Sequence, residues 1–125
     1  GEPNTYLSGY RVLVDGSLWA SDDISGATIT NRSDRKIKKN IKPTKAKNSL
    51  SVIKGLKIYD YDLKDSGKSV KMGLMADEAP QEILSDDGKG INLYSYCGML
   101  ALAVRELSEK VEQIDKNGGN NGRKD

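Results

Sequence analysis

The sequence predicts an α+β fold, in which small β-hairpins and short helices surround one long C-terminal helix. Three observations support this class: two turn signals flanked by alternating apolar residues, a short amphipathic segment in the middle, and a long apolar repeat near the end. The 125 residues suffice for one compact domain with extensions. Because only 36% of them are hydrophobic, the core is small, and oligomerisation is the expected supplement.

Charge and cysteine content limit the classes of function. The net charge of +2 implies no global attraction to nucleic acid or membranes. Cys97 is the single cysteine, so no intrachain disulfide forms. No apolar run reaches transmembrane length, and the first ten residues lack the pattern of a signal peptide. We therefore expect a soluble protein without a membrane partner, or a soluble fragment of a longer polypeptide.

Residues 6–29 are interpreted as short strands. Tyr10, Val12 and Val14 alternate with polar residues, and Asp15-Gly16 is a hairpin turn signal. A lone two-stranded hairpin is only marginally stable, so this segment is expected to pack on copies of itself or on upstream structure. It is interpreted as the β-rich end of another module.

A basic segment follows, with a single acid, Asp34. Its cations are Arg32, Arg35, Lys36, Lys38, Lys39, Lys42, Lys45 and Lys47. Lysines at the start of a helix oppose its dipole, so SDRKIKKNIKP is predicted to be irregular or extended. Ala46, Leu50 and Ile53 then predict a short amphipathic helix that stops at Gly55.

The middle of the chain predicts a second hairpin and a short acidic helix. Apolar residues at 58–61 and 70–74 flank the turn-forming Asp65-Ser66-Gly67. DEAPQEILS predicts the short helix, DDGKG a loop, and INLYSY a strand or an extended lead-in.

The last segment carries the clearest periodicity. An apolar repeat spaced by three and four residues comprises Cys97, Leu100, Val104, Leu107, Val111 and Ile114. The spacing fits the seam of a coiled coil and equally an amphipathic helix packed on its own domain. Valine at a with leucine at d favours a dimer in parallel coiled coils. The Gly- and Asn-rich stretch from Lys116 to Asp125 is expected to be disordered.

The absence of histidine narrows the available chemistry. It excludes His-dependent nucleophile systems and most zinc sites, and no metal or cofactor site is predicted. A Ser-Lys pair remains, because a poorly solvated lysine is favoured in its neutral form and can accept a proton. Ser33 beside several lysines has the right residue types, but a basic run is more often a solvated surface. Cys97 lies on the apolar repeat, and the basic segment lacks the aromatics of a nucleic-acid site.

Three ordered blocks carry a family resemblance. SDRKIKKNI, GLMADEAPQEIL and INLYSYCGMLALAVRELSEKVEQI resemble the intramolecular chaperone domain of endosialidase-type phage tail spikes and fibres, which is also classed as a self-cleaving peptidase family. The resemblance implies a homotrimer with a central helical bundle, formed here by Tyr94 to Ile114. Leu100, Val104, Leu107, Val111 and Ile114 would form its seam.

The resemblance also implies self-cleavage between Arg32 and Ser33. Ser33 matches the family's nucleophile and Lys38 its base, and Asp34 is expected to orient Lys38 or Arg35. The implied organisation is residues 1–32 as the end of the upstream module, 33–115 as chaperone and autoprotease, and 116–125 as a tail. The implied location is a virion tail appendage precursor made in the bacterial cytoplasm. A non-cleaving trimerisation domain and a basic polyanion-binding module stay open as alternatives.

Overall fold

A long C-terminal helix organises the fold. The structure, a computed structural model, describes Gly9 and residues 12–121, with side chains up to Gly118. In chain order it contains a 3₁₀ turn at Arg35–Ile37, helix α1 at Ser49–Gly55, strands β1 at Tyr59–Asp62 and β2 at Ser69–Gly73, 3₁₀ turns at Ala76–Glu78 and Gln81–Ile83, and helix α2 at Leu93–Asn121. The predicted α+β class is confirmed. None of the described helices is long and apolar enough to cross a membrane.

Helix α2 has two different faces. Met99 and Ala103 are buried on one face, against which α1 and the Gln81–Ile83 turn pack, and Ile83 is the most buried apolar side chain. On the other face Val104, Leu107, Val111 and Ile114 are 66%, 49%, 47% and 67% exposed. The helix therefore packs on its own domain through residues outside the predicted seam, and this stretch of the seam faces outwards.

Helix α1 begins later than predicted. Asn48 adopts the left-handed conformation, with φ of 63°, so Ala46 lies before the helix, which starts at Ser49. Asn48 provides no side-chain cap. Instead, the Glu106 carboxylate of α2 accepts hydrogen bonds from the backbone N–H groups of Ser49 and Leu50. The predicted end at Gly55 is confirmed.

The second predicted hairpin is confirmed. Strands β1 and β2 pair antiparallel, with a register shift between Tyr59 and Tyr61. Opposite this shift Met72 takes a left-handed conformation, and its N–H donates to the Asp60 carboxylate at 3.0 Å. Gly73 lies so close to the Tyr61 ring that an added Cβ would be 2.6 Å from Cε1. A glycine is therefore required for the ring to cover this strand.

Three segments differ from expectation. No strand forms within residues 12–32, where Asp15-Gly16 is only a bend; this part of the chain is exposed and lacks the second layer that a hairpin needs. Tyr10 lies outside the described residues. The acidic segment forms two 3₁₀ turns rather than one helix, because Pro80 is extended between them. Helix α2 continues to Asn121 through the first part of the predicted tail, where no proline interrupts it, and residues 122–125 lie outside the description.

Candidate functional site

The site begins with a tight turn directly after Arg32. Asp34 is extended, and its carboxylate accepts a hydrogen bond from the Lys36 N–H at 3.0 Å, which caps the 3₁₀ turn at Arg35–Ile37. The turn closes when the Lys38 N–H donates to the Arg35 carbonyl at 3.1 Å. This local structure reverses the chain and returns the Lys38 side chain towards Ser33.

Ser33 and Lys38 contact each other. The Lys38 Nζ donates a hydrogen bond to the Ser33 Oγ at 2.7 Å, and both residues are exposed. A hydroxyl and an amine at this distance have the geometry that a nucleophile and its general base require. The two residues named from the resemblance are thus adjacent in space, while their catalytic roles stay a prediction.

A third group reaches the same hydroxyl. The Tyr94 hydroxyl lies 3.2 Å from the Ser33 Oγ, across 61 residues of sequence. Tyr94 is in the first turn of α2, where its side chain is 55% exposed. The sequence pattern placed Tyr94 in a predicted strand or extended lead-in, and the resemblance placed it at the start of the central helix. Neither assigned it to the site. No local pattern identifies such a contact, because it depends on how α2 is placed relative to the basic segment.

Asp34 and Arg35 have local positions in this turn. Among the described residues no salt bridge joins Asp34 to Lys38 or to Arg35, and the carboxylate binds the Lys36 N–H instead. Arg35 contributes its backbone carbonyl to the turn. Arg32, immediately before Ser33, is exposed. The structure therefore relates Asp34 to the shape of the turn and not directly to the lysine side chain.

The segment upstream of the site is attached at one point. The Lys68 Nζ, next to the turn of the β1–β2 hairpin, binds Asp23 at 2.7 Å and Asp22 at 3.3 Å. The pKa of Lys68 is raised, chiefly by its hydrogen bond with Asp23 and next by its hydrogen bond with Asp22. Among the described residues, this Lys68 cluster supplies the only hydrogen bonds and salt bridges between residues 12–32 and the rest of the chain.

The pair does not line the open groove beside the hairpin. That groove, of about 390 Å³, is bordered by Tyr61, Met72, Leu93 and Tyr96 among others, and neither Ser33 nor Lys38 borders it. Within the described part of the chain, no three His, Cys, Asp or Glu side chains are grouped as metal ligands would be. The chemistry open to the site is that of the hydroxyl, the amine and the adjacent peptide bond.

Part of the chain matches a known protein family. Residues 33–89 match the family model Peptidase_S74, described as the chaperone of endosialidase. The matched segment begins at Ser33, the first residue of the pair, and ends before α2. No curated protein and no solved structure matches the chain.

Proposed function

We propose that this chain assembles and registers a homotrimeric phage tail spike or fibre and then releases itself by cleaving the bond between Arg32 and Ser33. The match of residues 33–89 to the family model of the chaperone of endosialidase supports this proposal. Residues 1–32 would end the upstream module, residues 33–115 would form the chaperone and protease, and residues 116–125 would be its tail. The precursor would be made in the bacterial cytoplasm, and the released domain would be absent from the mature particle.

The observation that carries the self-cleavage proposal is the 2.7 Å contact between the Lys38 Nζ and the Ser33 Oγ. In its neutral form Lys38 accepts the hydroxyl proton while the Ser33 Oγ attacks the carbonyl carbon of Arg32. The C–N bond breaks as Lys38 returns that proton to the Ser33 nitrogen, which leaves an ester between the Arg32 carbonyl and the Ser33 Oγ. One water molecule then hydrolyses the ester and frees both termini.

Exposure of the pair argues that cleavage follows assembly. Desolvation favours the neutral form of a lysine, and both Ser33 and Lys38 are exposed in the single chain. Burial by neighbouring copies would therefore activate the pair, so that cleavage would follow correct association of the chains.

The outward face of α2 supports the association step. Val104, Leu107, Val111 and Ile114 are spaced as the a and d residues of a coiled coil, and all four are exposed. A contiguous apolar surface of this kind marks an interaction site. Copies of the same helix present the same stripe to one another, which fits a helical bundle around a central axis.

The test is the intact mass of the chain, expressed with its own upstream sequence. Wild type is expected to yield a fragment that begins at Ser33, whereas Ser33→Ala and Lys38→Ala stay uncleaved. Lys39→Ala, a neighbouring exposed lysine, is the matched control and should cleave like wild type. An intact wild-type chain that forms stable trimers would remove the peptidase step and leave the chaperone alone.

Hydroxylamine tests the ester. It attacks esters faster than amides, so its addition during cleavage should leave a hydroxamate at the new C-terminus, Arg32. A free carboxylate at every hydroxylamine concentration would contradict the ester and favour direct attack by water.

A further inference from the structure

We propose that the Tyr94 hydroxyl positions Ser33 for cleavage and makes the reaction depend on the folded domain. The inference rests on the proposed self-cleavage and adds a residue that neither the resemblance nor the family match assigns. Its basis is the 3.2 Å separation between the Tyr94 hydroxyl and the Ser33 Oγ.

Sequence separation distinguishes the two contacts of Ser33. Lys38 is five residues away, and a single turn brings it to Ser33. Unfolded chains close such short loops readily. The contact between Ser33 and Lys38 alone would therefore make cleavage depend only weakly on folding. Tyr94 is 61 residues away and forms its contact only once α2 is in place. The tyrosine therefore supplies the dependence on tertiary structure.

In the proposed reacting state, in which Lys38 is neutral, hydrogen-bond accounting gives the Tyr94 contact a direction. A serine hydroxyl has one proton to donate and two sites that accept. When neutral Lys38 receives the Ser33 proton, the Tyr94 O–H must be the donor to the Ser33 Oγ. This bond restricts rotation of the Ser33 side chain and leaves one lone pair for the carbonyl carbon of Arg32. Tyr94 thus acts on the reaction by orienting the nucleophile.

The first turn of α2 is built to hold Tyr94 in place. The Asn92 side chain accepts a hydrogen bond from the Ser95 N–H at 3.0 Å, and the Asn92 carbonyl accepts one from the Tyr96 N–H at 2.9 Å. Asn92 therefore caps the first turn of the helix, in which Tyr94 lies. A capped first turn places the phenol more accurately than a frayed one.

The first experiment compares cleavage rates and thermal unfolding of Tyr94→Phe with those of wild type. Removal of the hydroxyl is expected to slow cleavage about tenfold, the effect of one lost hydrogen bond to the nucleophile. Its melting temperature should stay at the wild-type value, since the ring is retained and is 55% exposed. Tyr96→Phe, two residues along the same helix, is the control and should cleave at the wild-type rate. A wild-type rate for Tyr94→Phe, or a loss matched by a lower melting temperature, overturns the positioning role.

A spectroscopic measurement tests the contact without cleavage. With 3-fluorotyrosine at position 94, the fluorine resonance is expected to move when Ser33→Ala is introduced into an uncleaved Lys38→Ala chain. The same label at position 96 should be unaffected. If wild type does not cleave, the proposed self-cleavage fails, and this resonance alone then decides the Tyr94 contact. An unchanged resonance at position 94 overturns it.

Discussion

Glu106 in the middle of α2 supplies the cap that the first residue of α1, Ser49, lacks locally. The two carboxylate oxygens of Glu106 accept the N–H groups of Ser49 and Leu50, each at 2.9 Å. Ser49 is 2% exposed, so water does not replace the carboxylate readily. The contact spans 57 residues and joins α1 to α2, the helix whose outward face carries the exposed apolar residues.

Glu106→Ala is expected to lower the free energy of unfolding by about 2 kcal/mol, because it leaves partly buried N–H donors without an acceptor. Glu106→Gln, which keeps one carbonyl oxygen, should lose about half as much. Urea denaturation measures both. Glu109→Ala, one turn further along the helix, is the control and should stay within about 0.5 kcal/mol of wild type. Equal losses at 106 and 109 would contradict the capping role.

Leu107→Glu tests the outward face of α2. Leu107 is 49% exposed in the single chain, so the domain should stay folded while a charge in the shared seam prevents association. Analytical ultracentrifugation is expected to give the mass of three copies for wild type and one for the variant. Cleavage should fall in parallel if assembly activates the pair.

Lys116→Glu is the matched control for this experiment. Residue 116 is five positions after the a position at Val111, which places it opposite the seam. The Lys116→Glu variant should therefore associate like wild type. A trimer that survives Leu107→Glu would show that some other surface joins the copies.

Gly73→Ala tests the close approach of strand β2 to Tyr61. An added Cβ would lie 2.6 Å from the ring, so we expect a loss of about 1 to 3 kcal/mol in the free energy of unfolding. In a Tyr61→Leu background the loss should be much smaller, and a double-mutant cycle measures the difference. Gly55→Ala, where the added methyl meets no atom within 4 Å, should cost nothing. Additive losses in the cycle would exclude the ring as the cause.

Lys68→Met is expected to detach the upstream segment. Its ammonium binds Asp22 and Asp23, so amide exchange around those aspartates should accelerate in the variant and in high salt. Lys71→Met, which removes a 3.9 Å pair with Asp60, is the control. Unchanged exchange in Lys68→Met would mean that the pairs do not hold the segment.

The same contact has a defined pH dependence. Because the pKa of Lys68 is raised above its ordinary value of 10.5, the stabilisation is complete below that value and is lost as the pH rises through the raised one. Protection against amide exchange around Asp22 and Asp23 should therefore persist from neutral pH to about pH 10 and disappear in stronger alkali. Loss of protection between pH 7 and 9 would contradict this assignment.

Local patterns predicted the elements that local interactions determine. The β1–β2 hairpin followed from Asp65-Ser66-Gly67 between apolar alternations, and the stop of α1 from Gly55. The predicted hairpin around Asp15-Gly16 is absent from the described residues, because a turn signal alone does not supply a packing layer. Local reasoning also missed the left-handed Asn48, which delays the start of α1.

The same distinction between local and long-range interactions applies to the candidate site. Ser33 and Lys38 came from a resemblance within one short block, and a capped turn brings them together. Tyr94 and Glu106 make contacts across 61 and 57 residues, and no periodicity in a single sequence encodes such pairs. These contacts depend on the tertiary placement of α2.

Residues 12–32 are joined to the rest of the described chain at a single point, so the fold depends little on their sequence. Among the described residues, only side chains at Lys68, Asp22 and Asp23 join that segment to the domain by hydrogen bonds or salt bridges. Within the described residues 12–32, no strand pairs with the rest of the chain. We therefore expect residues 33–121 to be portable: they should keep their fold when residues 12–32 are replaced by an unrelated sequence that retains an acidic pair for Lys68.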